Sequence, residues 1–223
     1  MTNYISFSLW GDNPIYNIGA IRNAQLCSQI YPNWKMVLYY DESVPKETLI
    51  QLKKLNVTTF DMSYSNLYGM FWRFLATDIL DSEYVIFRDT DSRISEREKY
   101  AVIEWIDSGK TIHVMRDHPY HYCPAGSVPL SILGGMWGIK GNKINMLNEI
   151  KNFNLSFDKT YGNDQSFLKI IHDKFINDKC THDDLFEKKP FPSERKSGEF
   201  VGCRIDEYDN PIGDDHLIFV KNA

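Results

Sequence analysis

The run Tyr84-Val85-Ile86-Phe87 constrains this chain more than any other feature of it. Four consecutive apolar residues without polar alternation fit a short strand covered on both faces, as in the middle of a parallel sheet. Such a strand needs neighbours on either side and helices above and below. The preceding sequence supplies them. Tyr4–Leu9, Met36–Tyr40 and Val57–Phe60 read as strands. Between them, Asp12-Asn13-Pro14 opens a helix carrying Ile18, Ile21, Leu26 and Ile30, and Pro45 opens a shorter one with Leu49, Leu52 and Leu55. The clearest helix is predicted over Leu67–Ile79, with Leu67, Met70, Phe71, Phe74, Leu75 and Ile79 on one face and Arg73 well away from it. A helix over Glu96–Ser108 and a strand over Thr111–Met115 extend the alternation. The expected fold is α/β, a mostly parallel central sheet with helices on both faces.

The texture changes after Met115. Residues 117–131 hold Pro119, Pro124, Gly126 and Pro129 and read as a long loop over the edge of the sheet. It also carries the aromatics Tyr120 and Tyr122. Gly162-Asn163-Asp164 starts another helix, with Phe167, Leu168, Ile171 and Phe175 on its buried side, and the sequence from Lys179 is polar and turn-rich. A length of 223 residues fits one domain with a full core.

Composition removes several function classes. A net charge of −5 with scattered basic residues argues against a nucleic-acid binder, which needs a basic face. No apolar run approaches 18 residues and no leader pattern opens the chain, so neither a membrane span nor export is expected. Cys27, Cys123, Cys180 and Cys203 lack zinc spacing and read as reduced thiols of a cytoplasmic protein.

The chemistry centres on Asp89-Thr90-Asp91, directly after the apolar strand. Two carboxylates at this spacing project from the carboxyl edge of the sheet, where open α/β sheets bind ligands. Holding both charges together is costly without a cation, and hard oxygen ligands suit Mg²⁺ or Mn²⁺. The bland alternative is a solvated acidic turn. Gly134-Gly135 before Met136-Trp137 is either a bulge or a backbone surface for a ligand's hydroxyls. Asp164 either complements a helix dipole or faces a substrate.

With the motif in that place, the chain resembles the GT-A glycosyltransferases, whose D-x-D motif binds a divalent metal and the donor diphosphate. Tyr68–Phe74 is similar to the family's Arg-bearing helix ahead of the motif strand, Leu133–Gly138 to the glycine-containing strand flooring the sugar pocket, and Asn163-Asp164-Gln165 to the helix start facing the reacting carbon. The likeness is closest to small viral or bacterial members. It implies a Rossmann-like GT-A domain over 1–223, with a nucleotide-binding half (1–115) and an acceptor-side half with a C-terminal segment (116–223). It implies a hexosyltransferase with a nucleotide-sugar donor, UDP-sugar favoured, a carbohydrate or glycoconjugate acceptor, and Mn²⁺ or Mg²⁺.

The implied donor contacts are Trp10, Gly11, Asp41, Arg73, Asp89, Thr90, Asp91, Gly134 and Gly135. The metal ligands would be Asp89 and Asp91, with a third from the C-terminal segment, His182 first and His216 second. Arg88 and Arg93 could add charge at the diphosphate. Asp164 would be the base of an inverting reaction, or Gln165 would sit by the anomeric carbon of a retaining one; the residues leave that choice open. Two rivals stand. A silent binding module would not need two costly carboxylates. A nucleotidyltransferase would want a glycine-rich basic loop after the first strand, where Trp10-Gly11-Asp12-Asn13-Pro14 stands.

Overall fold

The computed structural model describes residues 1–121, 132–154 and 162–220. Tyr122, Cys123, Pro124, Gly126 and Pro129 of the aromatic, Pro-rich loop lie outside them. The elements run β1 (Thr2–Leu9), α1 (Pro14–Ile30), β2 (Trp34–Tyr40), α2 (Lys46–Lys54), β3 (Thr58–Asp61), α3 (Gly69–Trp72), β4 (Ser82–Phe87), α4 (Glu96–Ser108), β5 (Ile112–Arg116), β6 (Trp137–Lys140), α5 (Met146–Asn154), α6 (Asn163–Lys174) and β7 (Lys179–Asp183). Short 3₁₀ turns cover Arg73–Asp78, Pro119–His121 and Asp215–Phe219.

The strands form a seven-stranded sheet in the order β3-β2-β1-β4-β6-β5-β7. The apolar run that opened the argument lies in β4, at the centre. β1, β2, β3 and β4 pair parallel, as do β5 and β7, while β6 runs antiparallel between β4 and β5. Alternate residues feed two cores, as the two-residue period of a strand requires. Tyr4, Val37, Tyr39, Val85 and Phe87 face α3, α5 and α6, where Phe71, Phe74, Ile150 and Phe167 pack. Ile5, Phe7, Leu38 and Ile86 face α1 and α4, against Ala20, Ala24, Val102 and Trp105.

One prediction is corrected. The segment expected as a single helix over 67–79 is one α turn followed by 3₁₀ backbone. Two serines of β1 take the backbone of Arg73 out of the helical ladder: its N–H donates to Ser8 Oγ (2.9 Å), and its carbonyl accepts from Ser6 Oγ (2.7 Å). Side-chain hydrogen bonds from another element thus override the local apolar period. The altered winding puts Arg73 inside, 6% exposed, and not on the solvent side.

The turn-rich C-terminal sequence contains an unanticipated strand, β7, and then folds back over the sheet. Its anchor is Asp117, fully buried at the end of β5. Asp117 accepts both arms of Arg97 (2.9 Å each), the Arg195 guanidinium (2.7 Å) and the Val201 N–H (2.8 Å). A carboxylate taken out of water is tolerable when its oxygens are saturated in this way.

Candidate active site

A cavity of about 520 Å³ opens at the carboxyl ends of β1 and β4, of a size that holds a small-molecule ligand. Trp10, Arg73, Asp89, Thr90, Asp91, Gly134, Gly135, Asp164 and Gln165, all expected at the site, line it.

Its floor is an ion cluster under two glycines. Arg73 is paired with Asp89 through Nη1 and reaches Asp164 Oδ2 with Nη2 at 3.5 Å. Burial pulls the Arg73 guanidinium down, but Asp89 and Asp164 outweigh it and its pKa ends above the ordinary value. Asp164, 1% exposed, is pushed up by burial, with Arg73 opposing. A Cβ on Gly134 would sit 2.5 Å from Arg73 Nη2 and 2.6 Å from Asp164 Oδ2, and one on Gly135 would sit 1.9 Å from Asp89 Oδ2. Both glycines are needed so that backbone can lie against the charged groups. Asp164 Oδ1 and Gln165 Oε1 are buried without hydrogen-bond partners among the described residues, an arrangement that favours a ligand bringing O–H donors.

The motif loop is held by α1. A Cβ on Gly19 would meet Thr90 O at 2.0 Å, and Asn23 grips the loop by donating to Ser92 O (2.8 Å) and accepting from Ile94 N–H (3.0 Å). Asp91 pairs with Arg204 Nε (3.1 Å), and its carbonyl accepts from Ile205 N–H (2.6 Å). Burial first and Asp89 second push the Asp91 carboxyl up, and Arg204 opposes them.

At the end of β1, Trp10 is 41% exposed and packs against Tyr68 (6.4 Å) and Trp72 (6.0 Å, edge-on). Gly69 permits this, since a Cβ there would fall 2.8 Å from the indole. Gly11 has φ +76° and donates its N–H to Ser43 Oγ (2.6 Å), whose hydroxyl is bonded to Asp41. Gly11 and Asp41 brace the loop beside the cavity and do not line it.

Other expected residues are placed elsewhere. His182 does not join the carboxylates. It lies on β7, three strand spacings or roughly 14 Å across the sheet from β4. There it is buried, with Nδ1 2.8 Å from His113 Nε2. His216 sits in the last 3₁₀ turn, away from the cavity lining. Arg88 is buried against Glu98 (3.0 Å), and Arg93 binds Asp209 and the Asp206 carbonyl, so both serve the framework and not a diphosphate. Sequence reasoning missed Ser8, Tyr16, Gly202 and Arg204 in the lining. Only the serines alternating with apolar residues in Ile5–Leu9 carried a signal for one of them.

Among the described residues no group of three or more His, Cys, Asp or Glu side chains converges as a metal cage. Asp89 and Asp91 alone form the donor set. Each has one oxygen held by a guanidinium and a second that neither guanidinium takes. Two hard carboxylate oxygens fit a divalent cation that fills its remaining positions with phosphate and water.

No family model and no curated protein matches this sequence. The fold does have solved counterparts. A glycosyltransferase involved in glycosylation of the major capsid of PBCV-1 superposes with a TM-score of 0.52 at 16% identity, covering 82% of this chain and 83% of that one. The glycosyltransferase GlyE of Streptococcus pneumoniae gives 0.53 at 16% identity, covering 82% of this chain but 46% of its own. Glucosyl-3-phosphoglycerate synthase of Mycobacterium tuberculosis, solved with Mn²⁺, uridine diphosphate and glucosyl-3-phosphoglycerate, gives 0.50 at 12% identity over 81% of this chain and 68% of that one. These likenesses, together with the sheet order and the helices on both of its faces, show that the chain has the GT-A glycosyltransferase fold.

Proposed function

We propose that this protein is a divalent-metal-dependent glycosyltransferase that takes a nucleoside-diphosphate sugar, with UDP-sugar favoured, and transfers the sugar to a carbohydrate or glycoconjugate acceptor. One observation carries the reading: Asp89 and Asp91 open from the central strand into a cavity whose floor joins Arg73, Asp164 and a pair of obligatory glycines. The Mn²⁺ and uridine diphosphate bound by a protein of the same fold support the choice of cation and nucleotide.

In this reading Trp10 and Tyr68 supply an aromatic edge for the base, and the Gly134-Gly135 backbone floors the sugar. Asp164 Oδ1 and Gln165 Oε1 accept hydrogen bonds from sugar hydroxyls. When the C1–O bond to phosphate breaks, its electron pair leaves with the nucleoside diphosphate while the acceptor oxygen bonds to C1 and gives up its proton, to Asp164 in an inverting reaction or to the departing phosphate oxygen in a retaining one. A divalent cation on Asp89 and Asp91 would stabilise the charge arriving on that phosphate. Arg73 pairs with Asp89 and orients it for this role. The Gly-poor, acidic stretch after β1 and the two retained carboxylates support this reading over nucleotidyl transfer and over a silent binding module.

The test is turnover of UDP- and GDP-sugars with and without Mn²⁺. Cation-dependent release of nucleoside diphosphate is expected, and Asp91→Asn should abolish it while the thermal midpoint shifts by no more than about 4 °C, the scale of 1 kcal/mol in a chain of this size. Absence of cleavage, together with absence of thermal protection by any nucleotide sugar, would sink the reading.

A further inference from the structure

The first turn of α4 departs from its own sequence pattern. Ser95-Glu96-Arg97-Glu98 spells a capping box, in which the Glu turns back to the N–H of the capping residue and stays near the surface. One half of the box is made: Ser95 Oγ accepts the Glu98 N–H at 3.4 Å. The Glu98 carboxylate turns inward, 1% exposed, and accepts from Arg88 Nε at 3.0 Å. Burial raises this carboxyl above the usual range, with Arg88 opposing. A buried ion pair adds little net stability, because apolar side chains of similar volume hold a fold as well. The departure from the local cap therefore calls for a reason other than stability.

That reason lies at the other end of the guanidinium. Arg88 Nη1 donates to the Phe87 carbonyl (2.7 Å) and to the Trp137 carbonyl (3.4 Å). Phe87 and Trp137 are partners in the antiparallel ladder, the last residue of β4 opposite the first of β6. Beyond them the strands part. Asp89 stands two residues on from Phe87 and Gly135 two residues back from Trp137, and a Cβ on Gly135 would lie 3.0 Å from the Asp89 nitrogen. The Arg88 backbone is held as well: its N–H donates to the Ser6 carbonyl (3.1 Å), and its carbonyl accepts from Arg73 Nη1 (3.4 Å). The Arg88 fork thus closes the ladder at its last rung, and Glu98 fixes the plane of the fork from α4. Neither side chain lines the cavity.

We infer that Arg88 and Glu98 are positioning residues for Asp89, a buried clamp that sets the gap between Asp89 and Gly135 and through it the geometry offered to a divalent cation. The clamp acts through the backbone of β4 and β6 and not by its charge. A guanidinium near the motif would by itself oppose a cation, so a purely electrostatic role and a positioning role predict opposite effects when Arg88 is removed. This inference rests on the metal-dependent reading of the cavity.

The double variant Arg88→Met/Glu98→Leu removes one charge of each sign, so the field at the motif changes little and a loss of affinity reports position. Its thermal midpoint should lie no more than about 4 °C below that of wild type. Titration of free Mn²⁺ by its electron paramagnetic resonance signal should nonetheless show binding weaker by ~10-fold or more, the scale of losing a group that orients a metal ligand. Mg²⁺ demands near-ideal geometry and Ca²⁺ tolerates a loose one, so competition against Mn²⁺ should show Mg²⁺ losing at least ~3-fold more than Ca²⁺. Arg88→Lys keeps the charge without the fork and should weaken Mn²⁺ about threefold, where a role in charge alone would leave it unchanged. Wild-type Mn²⁺ affinity in the double variant, equal losses of Mg²⁺ and Ca²⁺, or a midpoint further below wild type overturns the inference and leaves the metal reading intact. If wild type takes up no Mn²⁺, alone or with UDP present, the metal reading itself fails and the clamp fails with it.

Discussion

At the scale of single residues, the site is governed by where side chains are absent. Gly135 gives Asp89 its place, and Gly135→Ala puts a methyl where Asp89 Oδ2 now lies, 1.9 Å away. The carboxylate can swing aside, so the variant should fold. If Asp89 holds the cation as proposed, the variant should nonetheless lose at least ~10-fold in cation-dependent turnover, since a displaced ligand costs about 1.4 kcal/mol or more at the transition state. Circular dichroism and steady-state rates would check the two halves of that expectation. Gln165 carries a different prediction. Gln165→Ala should lower kcat more than it raises KM for donor, because its buried Oε1 faces the part of the cavity beside Asp164. Equal loss in both would place Gln165 in ground-state binding. The D-x-D pair and the double glycine were legible in the sequence because each is a local pattern. Arg204 was not: its partner Asp91 is far off in the chain, and an Arg in a polar, turn-rich stretch reads as a surface charge.

At the scale of elements, periodicity placed β1 to β5, α1, α2, α4 and α6 close to where they lie, and failed where one element's side chains bond another's backbone. Ser6 and Ser8 divert the segment after Gly69 into 3₁₀ winding, and no apolar pattern within 67–79 could show it. β7 was missed for a related reason. Lys179–Asp183 has no apolar alternation, because its inward positions carry His182 and Cys180 and its pairing with β5 makes it a strand. The junction of β5 with the C-terminal segment also carries a stability prediction. Asp117→Asn keeps the shape but leaves Arg97 and Arg195 without their shared carboxylate. It should cost about 3 kcal/mol in urea unfolding and expose the chain beyond Ser193 to protease. A variant as stable and as resistant as wild type would show that Asp184, the other acid on Arg97 and Arg195, suffices to hold the segment.

At the scale of the whole molecule, the buried histidines set a pH limit. His113, His121, His172 and His182 all have pKa values lowered first by burial. In the folded state they stay neutral below the ordinary histidine range, while in the unfolded chain they take up protons as pH falls past about 6.5. The unfolded state then binds more protons, so stability rises with pH in this window and is lost on acidification. Asp91, Glu98 and Asp164 act in the opposite sense: burial raises them, so their contribution is gained as pH falls from the raised folded value toward the ordinary carboxylate pKa. The metal-free protein should therefore lose stability between pH 6.5 and 5.5. Denaturant unfolding across that range should show His113→Gln shallower by up to one proton. A profile flat in wild type would contradict the buried-neutral assignment.

The hydrogen bond from Ile205 N–H to the Asp91 carbonyl also bears on the order of events during synthesis. As the nascent chain emerges, β1 to β4 and their helices can pair, and the two carboxylates are in place while the cavity still lacks one side. Gly202 and Arg204 arrive more than a hundred residues later, after β6 has inserted between β4 and β5 and β7 has closed the edge. A ribosome-bound chain of this protein would hold a formed sheet before its cavity had all its walls, and on the proposed reading the ability to retain a nucleotide would mark completion of the fold.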